Sequence, residues 1–365
     1  MIILGEEQEQ AINSLKEFLD NSRLCITLTG SAGSGKTTCM NFFIKHLQEI
    51  KKSYSLVATT NKAALVLSKI TKDNVNTLHK LLSLSPNIEI LNLDLNSLLF
   101  VTKGGNLIPN NGLLICDEAS MIGDDLFDIV IEKCKAKKCK IIFLADRAQL
   151  KPVKHLKLSK VFRIPTINLT KVYRQDSESK LTPLLIELRE NSLNNFTESL
   201  GENGSILVYN NEDNFINQSI QYFKKSIDNK DILNCKLLCY TNAKVLENNR
   251  RIRNKLFNFP KEYQQSEILT AYDNYSADNG EIINSMDYII NNKPELSTKK
   301  IPYFVDLNGY ELSLYDSYEK ASYGIFILSN TVSKNHLKAL AELIEDARIK
   351  AVNTPKMNSR AYSEA

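Results

Sequence analysis

The sequence has no C-x-x-C pair, although it carries seven cysteines, at positions 25, 39, 116, 134, 139, 235 and 239. Its four histidines are equally scattered. This spacing offers neither a zinc site nor a disulfide framework and fits a reducing compartment. No uninterrupted apolar run reaches about 18 residues, so no membrane span is expected. The opening Met1-Ile2-Ile3-Leu4-Gly5-Glu6-Glu7 lacks the basic stretch and long apolar core of a secretory signal. No internal repeat is visible. Charge excess is small: a formal +4 is weak support for a nucleic-acid partner, because dedicated basic binding domains exceed it. What remains is an ordinary soluble composition, 43% hydrophobic and 24% charged, in 365 residues. Since one domain takes roughly 100–200 residues, two or three are expected, in a cytoplasmic protein.

Apolar periodicity predicts the elements. Residues 6–20 read as an amphipathic helix, with Ala11, Ile12, Leu15, Phe18 and Leu19 on one face. Apolar runs at 24–29, 55–60, 113–117 and 140–145 read as buried strands, with helices over about 36–47 and 62–70. Strands alternating with helices predict an α/β fold, a parallel sheet with helices on both faces. Residues 84–112 break the rhythm with Pro86, Gly104-Gly105 and Pro109, and read as a strand-rich insertion. Further helices are expected near 181–190, 213–227 and 242–256, and a buried strand over 236–241. Residues 260–325, rich in Tyr, Asn and turn residues, suggest small β-structure. Residues 333–349 predict an amphipathic helix, followed by a disordered tail.

Residues Gly30, Ser31, Ala32, Gly33, Ser34, Gly35, Lys36 and Thr37 match G-x-x-x-x-G-K-S/T. Glycines let consecutive backbone N–H groups turn inward around a phosphate, and the helix that follows adds its positive end. Lys36 then reaches the β- and γ-phosphates, the Thr37 hydroxyl binds Mg²⁺, and Thr38 completes the loop. The motif sits between an expected strand and an expected helix, as it must. Asp117-Glu118 ends another apolar run, Leu113 to Cys116, and faces the same crevice. Asp117 is the candidate for the Mg²⁺ shell, and Glu118 for orienting and deprotonating the attacking water. An apolar run ending in Asp-Glu is by itself often a strand entering a loop; behind a phosphate loop it reads as functional.

In order along the chain, these residues resemble the superfamily 1 helicases of the RecD-like, Dda-like branch. Leu4-x-x-x-Gln8-x-x-Ala11 resembles the Q motif, where Gln8 would read the adenine edge. The phosphate loop is motif I, and Ala58-Thr59-Thr60-Asn61-Lys62-Ala63-Ala64 resembles motif Ia. Asn76-Thr77-Leu78-His79 resembles motif Ib, and Asp117-Glu118-Ala119-Ser120-Met121 motif II. Ala145-Asp146-Arg147-Ala148-Gln149-Leu150-Lys151-Pro152-Val153 resembles motif III, where Gln149 would touch the γ-phosphate and sense its loss. Leu169-Thr170-Lys171-Val172-Tyr173-Arg174-Gln175 resembles motif IV, with Arg174 as an arginine finger. Tyr240-Thr241-Asn242-x-x-Val245-x-x-x-Asn249 resembles the family's next motif.

The resemblance implies ATP and Mg²⁺, a 5′-to-3′ motor on single-stranded DNA, and strand separation at a forked duplex. Thr60, Asn61, Thr77, His79, Thr241 and Asn242 become DNA-backbone contacts, the kind short polar residues at strand ends can make without reading sequence. His79 alone would more often be a packed core histidine. The insertion at 84–112 becomes the family's duplex-splitting pin, with Phe100 either its stacking tip or a packed strand aromatic. Implied domains are 1–165, a first RecA-like domain; 166–259, motif IV and the start of a second; 260–325, an SH3-like insertion; and 326–365, a C-terminal helix and tail.

Two later family motifs, H-K-S/A-Q-G and Y-V-A/G-x-S/T-R, do not occur. The expectation is therefore an incomplete second RecA-like domain. Either another chain completes it, with a single-strand-binding protein as a further partner, or the protein binds ATP and DNA without unwinding. An unrelated P-loop ATPase, such as a loader, is the third reading, and it leaves Thr77, His79 and Tyr173-Arg174-Gln175 unexplained. An incomplete sheet exposes a strand edge, so association or poor solubility is expected on sedimentation of the purified chain; a clean monomer counts against it.

Overall fold

A computed structural model of the chain describes residues 4–86, 100–102, 107–152, 157–173, 181–190, 197–202, 204–229, 235–260, 262–300, 306–329 and 342. It divides into two compact units, 1–208 and 209–365. The first contains α1 (Glu6–Asp20), β1 (Cys25–Gly30), α2 (Lys36–Glu49), β2 (Tyr54–Ala58), α3 (Asn61–Thr71), β3 (Val75–Thr77) and α4 (Leu78–Leu81). There follow β4 (Leu84–Pro86), β5 (Phe100–Thr102), β6 (Leu113–Asp117), α5 (Asp124–Ala136), β7 (Lys140–Ala145), β8 (Thr166–Leu169) and α6 (Leu181–Glu190).

Six strands form one sheet in the order β3-β2-β6-β7-β1-β8, every pair parallel. The apolar runs in β1, β6 and β7 are buried because a parallel sheet covered on both faces leaves no side for water. Side chains alternate between two cores. Ile26, Leu28, Ile142 and Leu144 meet Leu15, Phe18, Phe43 and Leu47 on one face. Ile141, Phe143, Leu114 and Cys116 meet Phe127, Val130 and Cys134 on the other. Register sets Ala58 beside Asp117, Cys116 beside Phe143 and Thr29 beside Ala145, so the strands end level. Every loop leaving that edge opens onto one crevice, where ligands of open α/β sheets bind.

Strand β8 pairs with β1, and the first unit runs to residue 208, so the boundary expected at 165 moves. The reason is that β1 needs a ladder partner on its outer side, and Thr166–Leu169 supplies it. In the 84–112 segment, β4 and β5 pair antiparallel with Pro86 opposite Phe100. Phe100 thus holds a ladder position within a strand.

The second unit contains α7 (Glu212–Asp228), α8 (Asn242–Leu256), β9 (Ile268–Thr270), β10 (Tyr275–Ala277), β11 (Gly280–Ile282), β12 (Asp287–Ile290), β13 (Glu295–Lys299), β14 (Leu307–Asp316) and β15 (Ala321–Leu328). Strands β9, β12, β13, β14 and β15 make an antiparallel sheet, and β10 pairs with β11. Helices α7 and α8 pack through Ile216, Ile220 and Ile252. The strand expected over 236–241 does not form. Among the described residues no neighbouring strand offers it a ladder, and Leu238 and Tyr240 stand fully exposed. Apart from residue 342, the helix expected at 333–349 lies outside the described residues, as does the tail.

Phe143 is fully buried and stacks on Phe127 with ring centroids 5.6 Å apart. Phe143→Ala should lower stability by about 3–5 kcal/mol, read from the midpoint of urea unfolding.

Candidate nucleotide site

The phosphate loop joins β1 to α2. Gly33 and Gly35 have φ of 83° and 90°, the left-handed region that only glycine adopts cheaply. Helix α2 starts at Gly35 with no side-chain cap and no acidic residue in its first turn. Its first N–H groups are therefore open to an anion. The Lys36 ammonium donates to the carbonyls of Gly30, at 2.7 Å, and Ser31, at 3.1 Å. Burial lowers the Lys36 pKa, and the charges of Asp146, Asp117 and Glu118 oppose that shift. The Ser34 hydroxyl is buried with no hydrogen-bond partner among the described residues.

Asp117 closes β6, and its Oδ1 accepts from the Glu118 N–H at 2.8 Å. Burial raises the Asp117 carboxyl, against that bond and the Lys36 charge. Glu118 sits at φ 53°, a left-handed conformation costing a non-glycine residue on the order of 1–3 kcal/mol. Burial and then Asp117 raise its pKa, while Lys36 and a hydrogen bond from the Gln149 side chain act in the opposite sense. Motif III follows β7, the strand between β1 and β6, which puts Gln149 between the lysine and the carboxylates. Motifs I, II and III thus share one crevice. The arrangement suits a metal-bound triphosphate: hard oxygen donors at Thr37 and Asp117, an under-compensated buried carboxylate, a cation for the phosphates and an acid that can hold water.

Gln8 is only 4% exposed. Its Oε1 accepts from the Gly5 N–H at 3.0 Å, and its Nε2 donates to the Ser34 carbonyl at 3.3 Å. The amide expected at the adenine edge is therefore engaged against the phosphate loop. The cause is the packing of α1 on α2, which buries the first turn of α1 beside the loop. Residues Glu7 and Tyr173, which sequence reasoning missed, complete this brace. Glu7 accepts from the N–H and hydroxyl of Thr170 and from the N–H of Lys171. The Tyr173 N–H donates to the Gly33 carbonyl at 2.9 Å. Motif IV thus enters across the phosphate loop; Arg174 and Gln175 themselves lie outside the described residues.

The residues expected to contact DNA have a shared local role. Thr60, Thr77 and Thr241 are N-caps, accepting from the N–H groups of Ala63, Lys80 and Lys244 respectively. Threonine suits that position because its hydroxyl satisfies an orphan donor of the first turn. Asn61 opens α3, Asn242 opens α8, and His79 lies half-buried in α4, where burial lowers its pKa. Thr60, Asn61, Thr77 and His79 lie at the same end of the sheet as the phosphate loop, since β2 and β3 run parallel to β1.

Fold and site together define a P-loop nucleotide-binding protein. The profile of the AAA domain family matches residues 3–211. The chain belongs to that family, and its motifs resemble the RecD-like, Dda-like branch of superfamily 1. It is 27% identical over 276 residues to the ATP-dependent DNA helicase dda of Enterobacteria phage T4, a match covering 73% of this chain and 60% of that one. It is 31% identical over 182 residues to the ATP-dependent RecD2 DNA helicase of Deinococcus radiodurans, covering 48% and 23%. The chain thus spans less than two thirds of the length of these relatives. A solved Pif1 helicase structure superposes with a TM-score of 0.45 at 18% identity, over 90% of this chain and 81% of that one.

The raised Asp117 and Glu118 carboxyls carry a sign. A folded pKa above the unfolded one makes the charged form a liability at neutral pH, and stability grows as pH falls through the raised values. Glu118→Gln should therefore raise the melting temperature of the nucleotide-free protein at pH 7, with the gain shrinking toward pH 4. The same variant should lower ATP turnover by about 10²–10⁴-fold. Calorimetry across pH and a phosphate-release assay check the pair. In Gly35→Ala, the added Cβ would lie 1.9 Å from the Gln8 Nε2 at a φ of 90°. Fluorescent-ATP titration should show at least about tenfold weaker binding, because loop and brace cannot both hold their places.

Proposed function

We propose that this chain is an ATP-hydrolysing DNA helicase that moves 5′ to 3′ along single-stranded DNA and opens a forked duplex. The carrying observation is the meeting of Lys36, Asp117, Glu118 and Gln149 at one edge of a parallel sheet. Relatives named as DNA helicases support the reading over much of the chain.

In this reading the loop N–H groups of Gly33 to Thr38 cradle the phosphates, with Gly30, Ser31 and Ala32 shaping the turn. Lys36 exchanges the loop carbonyls for phosphate oxygens. A Mg²⁺ arriving with ATP would be held by the Thr37 hydroxyl and the Asp117 carboxylate and would draw charge from the β- and γ-oxygens. Glu118, already pushed toward a higher pKa, takes the proton of the attacking water. Gln149 bridges to Glu118 and senses the γ-phosphate; Arg174 supplies a second cation to it. Thr60, Asn61, Thr77, His79, Thr241 and Asn242 grip the sugar–phosphate backbone, sequence-neutrally. Residues 84–112 serve as the pin and 260–325 as the SH3-like insertion, joined by a second RecA-like region begun at α7 and α8. A chain completing that region and a single-strand-binding protein are the expected protein partners.

Turnover should rise at least about tenfold with single-stranded DNA and vanish in Lys36→Ala, while a forked substrate with a 5′ tail is opened and one with a 3′ tail is not. ATP binding without DNA-stimulated turnover would move the assignment to an ATP- and DNA-binding subunit.

A further inference from the structure

Arg189, on α6, belongs to no motif, and nothing in the sequence singles it out. Its guanidinium grips Asp146 with two parallel bonds, Nη2 to Oδ1 at 2.8 Å and Nη1 to Oδ2 at 3.1 Å. Such a fork adds geometric definition to charge. The Asp146 side chain is 2% exposed, while that of Arg189 remains 38% exposed. Burial would push the Asp146 carboxyl up; the bonds from Arg189 and from the Ala148 N–H, with the Lys36 charge, outweigh that and hold it low.

Both ends of this pair are attached to something functional. On the Asp146 side, its N–H donates to the Ser120 hydroxyl at 2.8 Å, and that hydroxyl donates back to the Asp146 carbonyl at 3.0 Å. Ser120 stands two residues after Glu118 in motif II. The Gln149 N–H also donates to the Asp146 carbonyl, at 3.1 Å, and the Gln149 side chain bonds to Glu118. On the Arg189 side, α6 buries none of its own side chains. Leu185, Ile186 and Leu188 are exposed, and the ion pair ties the C-terminal end of this helix to the sheet. Helix α6 begins seven residues after Arg174.

We infer that Arg189 is a positioning residue for hydrolysis: by clamping Asp146 it fixes the motif III turn that presents Gln149 to Glu118, and it ties α6 to that turn. The inference rests on the proposed ATPase. A purely structural salt bridge would not need to end in a carboxylate whose main chain joins motifs II and III. The latch also lies within electrostatic reach of Lys36, whose pKa Arg189 helps to depress.

The test uses the full chain with Arg189→Ala, Arg189→Lys and Asp146→Asn. Single-stranded-DNA-stimulated ATPase is measured with its kcat and KM separated, beside Kd for a fluorescent ATP analogue and amide hydrogen exchange without nucleotide. In Arg189→Ala, kcat should fall roughly 10–100-fold, with KM and analogue Kd within about threefold of wild type. Exchange should rise over 146–149 and 181–190 and stay unchanged over 113–117. Asp146→Asn should behave alike, and Arg189→Lys, which keeps the charge without the fork, should lie between. An unchanged kcat overturns the inference, as does a loss of kcat accompanied by faster exchange throughout the sheet. Should the wild-type chain show no turnover, the ATPase reading fails by itself. The exchange pattern then decides the latch: faster exchange confined to 146–149 and 181–190 upholds it, and no change there overturns it.

Discussion

The structure turns on one buried ammonium and three carboxylates held at the C-terminal edge of a parallel sheet. Lys36 loses hydration on burial, and Asp117, Glu118 and Asp146 restore part of what it loses. The carboxylates are in the mirror position. Asp117 and Glu118 are pushed toward protonation by burial, Glu118 also by the Asp117 charge, and Lys36 holds them back. Asp146 is different because Arg189 gives it a full counter-charge. The ammonium offsets the carboxylates, and the carboxylates offset the ammonium. A site balanced in this way without phosphate has a direct use for one: an anion on Lys36 and a cation on Asp117 would relieve both strains.

Everything else serves to hold that balance in place. The two cores clamp β1, β6 and β7 so that Gly30, Asp117 and Ala145 leave the sheet level with one another. Glu118 is kept in a left-handed backbone while the Thr59 hydroxyl donates to its carbonyl. Behind the phosphate loop, Gln8, Glu7 and Tyr173 bind α1, the loop and the entry to motif IV into one piece. Ordering these segments before ligand arrives reduces the entropy lost on binding. A signal at the γ-phosphate could reach either neighbour of the loop through hydrogen bonds already present.

Legibility in the sequence followed range. The phosphate loop and Asp117-Glu118 were legible because their chemistry is written in contiguous residues between apolar runs. Gln8 stood out in the sequence, but its partner in the fold did not: the bond to Ser34 spans 26 positions and arises from helix packing. Thr60, Thr77 and Thr241 stood out as polar residues at strand ends, and their capping role explains that placement whatever else they touch. Arg189 was invisible, since an arginine in the last turn of a short helix reads as solvated and its partner lies 43 positions away.

By itself the sequence determined the motifs, their order and the α/β alternation, because backbone turns at glycine, helix periodicity and strand hydrophobicity are local properties of the chain. Only the tertiary structure decided that Thr166–Leu169 joins the first sheet, that residues 236–241 do not form a strand, and that Asp146 is clamped by Arg189. Ladder partners and buried counter-charges come from distant parts of the chain, and no local pattern encodes which of them will meet.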